Sequence, residues 1–291
     1  MEVYLDGRAL DSREALHQAL SALLAFPAYY GKNLDALHDC LTDLSDPVHL
    51  TVLHAQALED AAASYEFDYD FLADLPYGEK NRLEGYLFPD TYEFYLGEEP
   101  ETALDRFLRN FDRKVTQDLR DQIDVLNERL AAQMAANDFT AEQIANNRLT
   151  LHDVITVASL VEKETARSSE SANIASVIYN RLCSKLYPCL QIDATIQYAL
   201  AERKEQLSNA DKAIISPYNT YTNAGLPVGP IANPGLNSIR AALYPAETDY
   251  YFYALGSDGV HKFSTTYYEH QEFLIAQGAQ ADEPAADAPA D

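Results

Sequence analysis

The sequence predicts a mixed α+β fold. Apolar residues recur at helical spacing through much of the centre of the 291-residue chain, whereas alternating, strand-like patterns are short and lie near its two ends. With 47% hydrophobic residues, the chain is long enough for one large domain or two modest ones, each with its own core. We therefore expect a globular α+β protein.

The amino-terminal residues predict a small α/β segment. Glu2 to Leu5 is typical of a short strand, and apolar residues in 16–24 follow at helical spacing. A second helix is predicted over 34–41, and Val48 to Val52 alternates as a strand. The periodicity then fades, which predicts a segment over 1–60 and a junction at 61–66.

The central part of the chain predicts helices. Residues 101–148 are rich in helix formers and charges and predict one or two amphipathic helices. Thr150 and Asp153 resemble a capping box, so we expect a helix to begin near Leu151. Further helices are predicted around Ile174 to Leu182 and from Asp193 to Leu200.

A loop and a hairpin follow these helices. Residues 216–234 contain many prolines and glycines and predict a long loop, a type of segment that often carries function in compact domains. Tyr250 to Leu255 and His261 to Ser264 flank a Ser-Asp-Gly turn, which predicts a β-hairpin. Thr266 caps a last helix, and 277–291 is predicted to be a disordered acidic tail.

Charge and cysteine content limit the functions that the chain can have. Its 46 acidic and 21 basic residues give a formal charge of -25, which disfavours binding to nucleic acid. Its three cysteines lack the paired spacing of a zinc site or a disulfide framework, so we interpret them as ordinary thiols. An acidic surface leaves basic proteins and neutral or amino-sugar polymers as partners.

The sequence shows no element that would place the protein in a membrane. No stretch approaches the roughly 20 apolar residues that span a bilayer, and the first nine residues are mixed and polar. As written, the chain is expected in the cytoplasm.

Two glutamates at the end of the helix that begins near Leu151 are candidates for chemistry. On a helical projection Glu162 falls within an apolar arc, and Glu164 lies just past its edge, beside Leu160. A carboxyl group that borders apolar surface has a raised pKa, as a general acid requires. Periodicity alone does not choose between them, and two solvated glutamates at a helix end explain the same pattern.

Six ordered sequence blocks resemble the endolytic murein transglycosylases, the YceG-like family. The resemblance covers nearly all of 67–276. The blocks are Leu83–Tyr92, Ala158–Thr165, Leu190–Asp193, Ser216–Tyr221, Gly225–Pro227 and Ile231–Gly235.

This resemblance implies a lysozyme-like mixed catalytic domain with a helical insertion, and it makes Glu164 the catalytic acid. The enzymes of the family cleave peptidoglycan glycan strands to leave 1,6-anhydro ends, and they are anchored in the cytoplasmic membrane with the catalytic domain outside. Cell-wall synthesis machinery is a further partner that it implies. It implies no metal and no organic cofactor, because acid–base chemistry on a sugar needs neither. Residues in the matching blocks that are suited to contact sugar are Gln191, Asp193, Tyr218, Asn219, Tyr221 and Asn233.

Residues 1–60 resemble a second family, barstar, which inhibits a basic ribonuclease. The resemblance rests on 16–18 and 27–42, and it implies that Tyr29, Asp35 and Asp39 would contact the ribonuclease. The closing helix and third strand of that fold have no room before Phe67, so we expect an incomplete barstar-like α/β segment. The alternative function is therefore ribonuclease binding, with the rest of the chain as an inactive passenger.

Overall fold

The computed structural model describes two compact units. One comprises Met1–Leu83 and Asp90–Arg106, and the other comprises Glu84–Pro89 and Phe107–Asp291. The division into segments 1–60, 61–66, 67–276 and 277–291 that the sequence indicates stays a prediction. The described residues are 2–6, 13–26, 49–53, 56–75, 79, 81–94, 98–200 and 202–278. Tyr29, Asp35, Asp39, the predicted helix over 34–41 and most of the predicted tail lie outside them.

The described residues up to Leu83 in the first unit include a parallel pair of strands and two α-helices. Strand β1 (Glu2–Asp6) pairs with β2 (His49–Leu53), and helix α1 (Arg13–Leu23) lies between them in the chain. Helix α2 (Gln56–Ser64) comes after β2 in the chain. The expectation that the closing helix and third strand of the barstar fold have no room before Phe67 stays a prediction. Among the described residues no third strand joins this sheet.

Nine helices extend from residue 100 to residue 276 within the described part of the chain. The predicted one or two helices over 101–148 are three, because Asp138 has a positive φ of 60° and Thr140 starts a new capping box. The helices are α3 (Pro100–Lys114), α4 (Gln117–Ala136), α5 (Ala141–Asn146), α6 (Leu151–Glu164), α7 (Ser171–Leu182), α8 (Asp193–Ala199), α9 (Asn209–Lys212), α10 (Leu236–Leu243) and α11 (Tyr267–Ala276).

Helix α6 forms the centre of the second unit. The predicted capping box is confirmed, since the Asp153 N–H donates to Thr150 Oγ1 at 3.2 Å and the Thr150 N–H donates to Asp153 Oδ2 at 2.7 Å. Every residue from Val154 to Val161 is buried, and α7 and α10 pack on this helix. From Val154 to Val161 the helix is therefore buried on all of its faces, whereas the helical projection indicated one apolar face.

The predicted hairpin is also confirmed. Strand β3 (Phe252–Leu255) pairs antiparallel with β4 (His261–Ser264), and Gly259 has a φ of +71° in the turn. The described structure is thus mostly helical, with two sheets of two strands each. No helix within the described ranges combines the length and the apolar character needed to cross a membrane.

Candidate active site

Glu164 is the last residue of α6 and lies half-buried in the second unit. Its Oε2 accepts a hydrogen bond of 3.0 Å from the hydroxyl of Tyr253 in β3. The helix ends immediately afterwards, because Thr165 takes an extended conformation. The end of a buried helix therefore brings a carboxyl group to the hairpin.

Burial is the main cause of a raised pKa at Glu164. The hydrogen bond from Tyr253 lowers that pKa, the charge of Asp193 raises it, and His261 and the backbone N–H of Ala194 lower it. Desolvation outweighs the opposing contacts. A carboxyl group with a raised pKa can donate a proton and later accept one near neutral pH.

Tyr253 acts as a hydrogen-bond donor to this carboxyl group. Burial, followed by the charge and the hydrogen bond of Glu164, keeps the phenol pKa well above its usual value. The phenol therefore stays protonated near neutral pH and donates to the carboxyl oxygen.

Glu162 lies in a different environment, although it is only two residues away. It is exposed, and its Oε2 accepts hydrogen bonds from the Gly235 N–H at 3.1 Å and the Ser238 hydroxyl at 2.6 Å. These contacts place Glu162 at the amino terminus of α10. A cleft of about 290 Å³ adjoins it, lined by Glu162, Thr165, Ala166, Ser168, Gly235, Leu236, Asn237 and Ser238.

Asp193 and Tyr221 are brought together near Glu164. The Tyr221 hydroxyl donates to Asp193 Oδ1, and Lys212 Nζ lies 3.6 Å from the same oxygen. The Lys212 ammonium also lies 4.8 Å from the centre of the Tyr221 ring. The Asp193 side chain is 57% exposed, so this cluster is open to a ligand.

Gln191 is held by a buried arginine. Its φ is 55°, and its amide oxygen accepts from both terminal nitrogens of Arg181 at 3.3 Å. Arg181 also donates to three backbone oxygens, those of Cys189, Leu190 and Tyr251. Arg181 therefore fixes both the segment before α8 and the start of the hairpin.

Asn219 and Asn233 bind backbone. The Asn219 amide donates to the Lys212 and Ile214 carbonyls and accepts from two N–H groups, with the side chain fully buried. The Asn233 oxygen accepts from the N–H groups of Gly85 and Leu87 at 2.9 and 3.1 Å. The structure thus gives both side chains a part in holding loops.

Tyr218 lies apart from the Glu164 contacts that the structure shows. Its ring packs on Tyr198 with centroids 4.8 Å apart, and its hydroxyl lies close to Gly229. The roles predicted for Tyr218, Asn219 and Asn233 as sugar contacts stay predictions.

Sequence reasoning did not identify Tyr253, Arg181, Glu170 and His261. Glu170 is buried, and its carboxylate accepts from the His261 N–H at 3.0 Å and lies 2.7 Å from His261 Nδ1. Arg181 is the one charged residue of α7, and this was the one visible signal. Tyr253 gave no signal, because a tyrosine in a strand is ordinary.

The described cysteines, Cys183 and Cys189, are both free thiols. Burial raises the pKa of the Cys183 thiol to about 12, so that thiol is not reactive. Within the described residues there is no cluster of three or more His, Cys, Asp or Glu that would hold a metal ion.

These features define a protein whose second unit is mostly helical and whose candidate site holds a half-buried carboxyl group at the end of a helix. The chain belongs to the YceG-like family, whose model matches residues 27–274. The match confirms the resemblance of the six sequence blocks and extends further toward the amino terminus than residue 67.

Curated relatives from two bacterial species carry the name endolytic murein transglycosylase. The one from Bacillus subtilis (strain 168) is 36% identical over 193 residues, which are 66% of this chain and 47% of the relative. The one from Streptococcus pneumoniae (strain ATCC BAA-255 / R6) is 30% identical over 219 residues, which are 73% of this chain and 35% of the relative. The chain thus spans half or less of the length of these relatives.

A solved structure and a shorter relative complete the comparison. The crystal structure of a candidate yceG-like protein from Listeria monocytogenes matches with a TM-score of 0.56 and 31% identity, covering 75% of this chain and 66% of that one. A candidate ribonuclease inhibitor of Bacillus subtilis, YrdF, is 41% identical over 68 residues, which are 23% of this chain and 75% of the relative. A short region of the chain therefore resembles an inhibitor.

Proposed function

We propose that the chain cleaves peptidoglycan glycan strands as a lytic transglycosylase, with Glu164 as its single acid–base group. The half-burial of Glu164 at the end of α6, with its carboxyl group bound by Tyr253, carries this proposal. The names of the relatives from Bacillus subtilis and Streptococcus pneumoniae support the substrate class. The site would lie in a lysozyme-like core within 67–276.

The reaction needs one carboxyl group in two protonation states. Protonated Glu164 donates its proton to the glycosidic oxygen as the bond to the anomeric carbon of N-acetylmuramic acid breaks. The resulting carboxylate takes the proton of the 6-hydroxyl of the same sugar, and that oxygen closes on the anomeric carbon. The product is a 1,6-anhydro end, and the intramolecular nucleophile has a large proximity advantage over water.

The polar residues near Glu164 would bind the sugar. Asp193 and Tyr221 form an open cluster of carboxylate and phenol groups, and Gln191 is held close to α8 by Arg181. Tyr218 offers an aromatic face, and Asn219 and Asn233 would act through the loops that they hold. Cell-wall synthesis proteins are further proposed partners.

The test is mass spectrometry of the products from purified peptidoglycan. We expect 1,6-anhydro-muropeptides from the parent chain and from Glu162→Gln, and none from Glu164→Gln. Glu128→Gln, an identical change on an exposed face of α4, serves as the control and retains activity. Full activity of Glu164→Gln would contradict the assignment of the acid, and an inactive but folded parent chain would contradict the function.

A second candidate function is ribonuclease binding by 1–60. The 41% identity to YrdF over 68 residues favours it. Asp35 and Asp39 would supply the acidic contact and Tyr29 the aromatic one, although these positions lie outside the described residues. Capture of a basic ribonuclease that is lost on Asp39→Ala would support it, whereas equal capture by Asp39→Ala would contradict it.

A further inference from the structure

The contact between Tyr253 and Glu164 joins residues that are 89 positions apart. The hairpin that carries Tyr253 is fixed to the same unit at two places. Arg181 Nε donates to the Tyr251 carbonyl at 2.9 Å, and the buried Glu170 holds both the backbone and the ring of His261. Glu170 follows Glu164 by only six residues. The phenol is therefore held in place independently of its bond to the carboxyl group.

The hydroxyl of Tyr253 donates to only one of the two carboxyl oxygens of Glu164 in the hydrogen bonds that the structure shows. Tyr253 contacts Oε2 of Glu164, and its raised pKa keeps it a donor. An oxygen that accepts a strong hydrogen bond holds its own proton less well than its neighbour. The acid proton is therefore favoured on Oε1.

We propose, resting on the proposed function, that Tyr253 is a positioning residue that binds Oε2 of Glu164 and so assigns the transferable proton to Oε1. During the reaction Oε1 gives its proton to the glycosidic oxygen and receives one from the 6-hydroxyl, while Oε2 stays bound to the phenol. Tyr253 exchanges no proton. It fixes the carboxyl plane and stabilises the carboxylate formed between the two steps.

Several groups lie near Glu164 and Tyr253 and affect the pKa values of these two side chains. Glu164 faces Asp193 and the Ala194 N–H of α8, Tyr253 of β3 and His261 of β4. Tyr253 faces Glu164, Arg181 of α7 and Tyr221 of the long loop. Among them, only Tyr253 has a side-chain hydrogen bond to Glu164 in the described structure, so removing its hydroxyl tests one contact.

The test is Tyr253→Phe, with Tyr250→Phe as the matched control. Tyr250 lies three residues away, and its ring stacks on Phe263. The first measurement is an NMR titration of ¹³C-labelled glutamate carboxyl groups, with Glu164 assigned by Glu164→Gln. The hydrogen bond favours the carboxylate, so we expect its loss to raise the Glu164 pKa in Tyr253→Phe and not in Tyr250→Phe. An unchanged Glu164 pKa overturns the proposal, whether or not the chain is active.

The second measurement is kinetics on glycan strands across pH. We expect kcat of Tyr253→Phe to fall by about tenfold to a hundredfold with little change in KM, and the alkaline limb of its profile to move to higher pH. A parent-like kcat and pH profile overturns the positioning role. A parent chain that is inactive but has the predicted NMR shift contradicts the proposed function, while the hydrogen-bond assignment stands.

Discussion

Glu162 and Glu164 lie two residues apart on α6, but their carboxyl groups bind opposite parts of the second unit. Glu162 Oε2 accepts from the N–H of Gly235, at the start of α10, whereas Glu164 Oε2 accepts from the phenol of Tyr253 in β3. Residues two apart on a helix point about 200° from each other. One carboxylate is thus exposed beside a helix start, and the other is half-buried beside a neutral donor.

The first prediction concerns the structural role of Glu162. Glu162→Ala removes the acceptor of the Gly235 N–H and the Ser238 hydroxyl at the amino terminus of α10. Loss of these hydrogen bonds and of a negative charge beside the helix amino terminus lowers the free energy of unfolding by about 1 kcal/mol. Urea denaturation measures this change, and Glu128→Ala on exposed α4 is the control. Equal free energies of unfolding for the two variants would show that the hydrogen bonds of Glu162 do not stabilise the fold.

The second prediction concerns the cost of a raised pKa at Glu164. Burial raises this pKa in the folded protein, so the folded state keeps a proton that the unfolded state loses. Stability therefore falls as the pH rises from the usual carboxyl pKa toward the raised one. Glu164→Gln has no such proton to lose and keeps an oxygen that accepts from Tyr253.

We therefore expect Glu164→Gln to unfold at a higher temperature than the parent chain at pH 7.5, with the difference shrinking toward pH 4. Thermal unfolding followed by circular dichroism at several pH values measures this. A constant difference across pH would mean that Glu164 titrates normally.

The helix that carries Glu164 was predictable because its signals are local. Thr150 and Asp153 are three residues apart, and their reciprocal hydrogen bonds depend on the backbone of a single turn. The turn of the hairpin is likewise encoded by adjacent residues, with Gly259 at positive φ. Short-range chemistry of this kind can be interpreted without knowledge of the fold.

The partners of Glu164 were not predictable in the same way. Tyr253 is 89 residues away from it, and Glu170 and His261 are 91 residues apart. Such pairs depend on how the chain packs, which periodicity does not specify. The limit of one or two helices over 101–148 was wrong for a related reason, since Asp138 takes a left-handed conformation that its sequence does not require.

The third prediction concerns the pair of Glu170 and His261. Burial pushes the Glu170 pKa upward, but the hydrogen bonds and charge of His261 outweigh burial, so the pKa lies below its usual value. The pair stabilises the fold above the usual carboxyl pKa, and this contribution is lost as the pH falls through the lowered one.

We expect Glu170→Ala to lower the free energy of unfolding by about 2–4 kcal/mol near neutral pH, because it leaves a buried imidazole and N–H without their acceptor. Urea denaturation at pH 7 and pH 3.5 measures the loss of unfolding free energy and the direction in which that loss changes with pH. The loss should be smaller at pH 3.5, and a larger loss there would contradict the assignment of the lowered pKa.

The fourth prediction compares two glycines that share a backbone conformation and differ in surroundings. Gly85 has a φ of +91° and Gly225 a φ of +86°, so alanine is strained at both. A Cβ at Gly85 would lie 2.7 Å from Ile155 Cγ2 and 2.7 Å from Pro230 Cγ, whereas one at Gly225 would meet nothing within 4 Å. Gly85→Ala therefore adds a steric clash beside α6 to the strain that both variants have.

Gly225→Ala should lower the free energy of unfolding by about 1 kcal/mol, from backbone strain alone. Gly85→Ala should cost roughly 1–3 kcal/mol more, because overpacking forces Ile155 in α6 or the proline loop to move. Movement of α6 would also displace Glu164 at its end, so we expect Gly85→Ala to reduce glycan cleavage and Gly225→Ala to preserve it. Chemical denaturation and anhydro-muropeptide yield measure the two effects. If both variants lose the same free energy of unfolding, the residues around Gly85 can move to make room for a methyl group. Glycine would then not be needed at this position to avoid a clash.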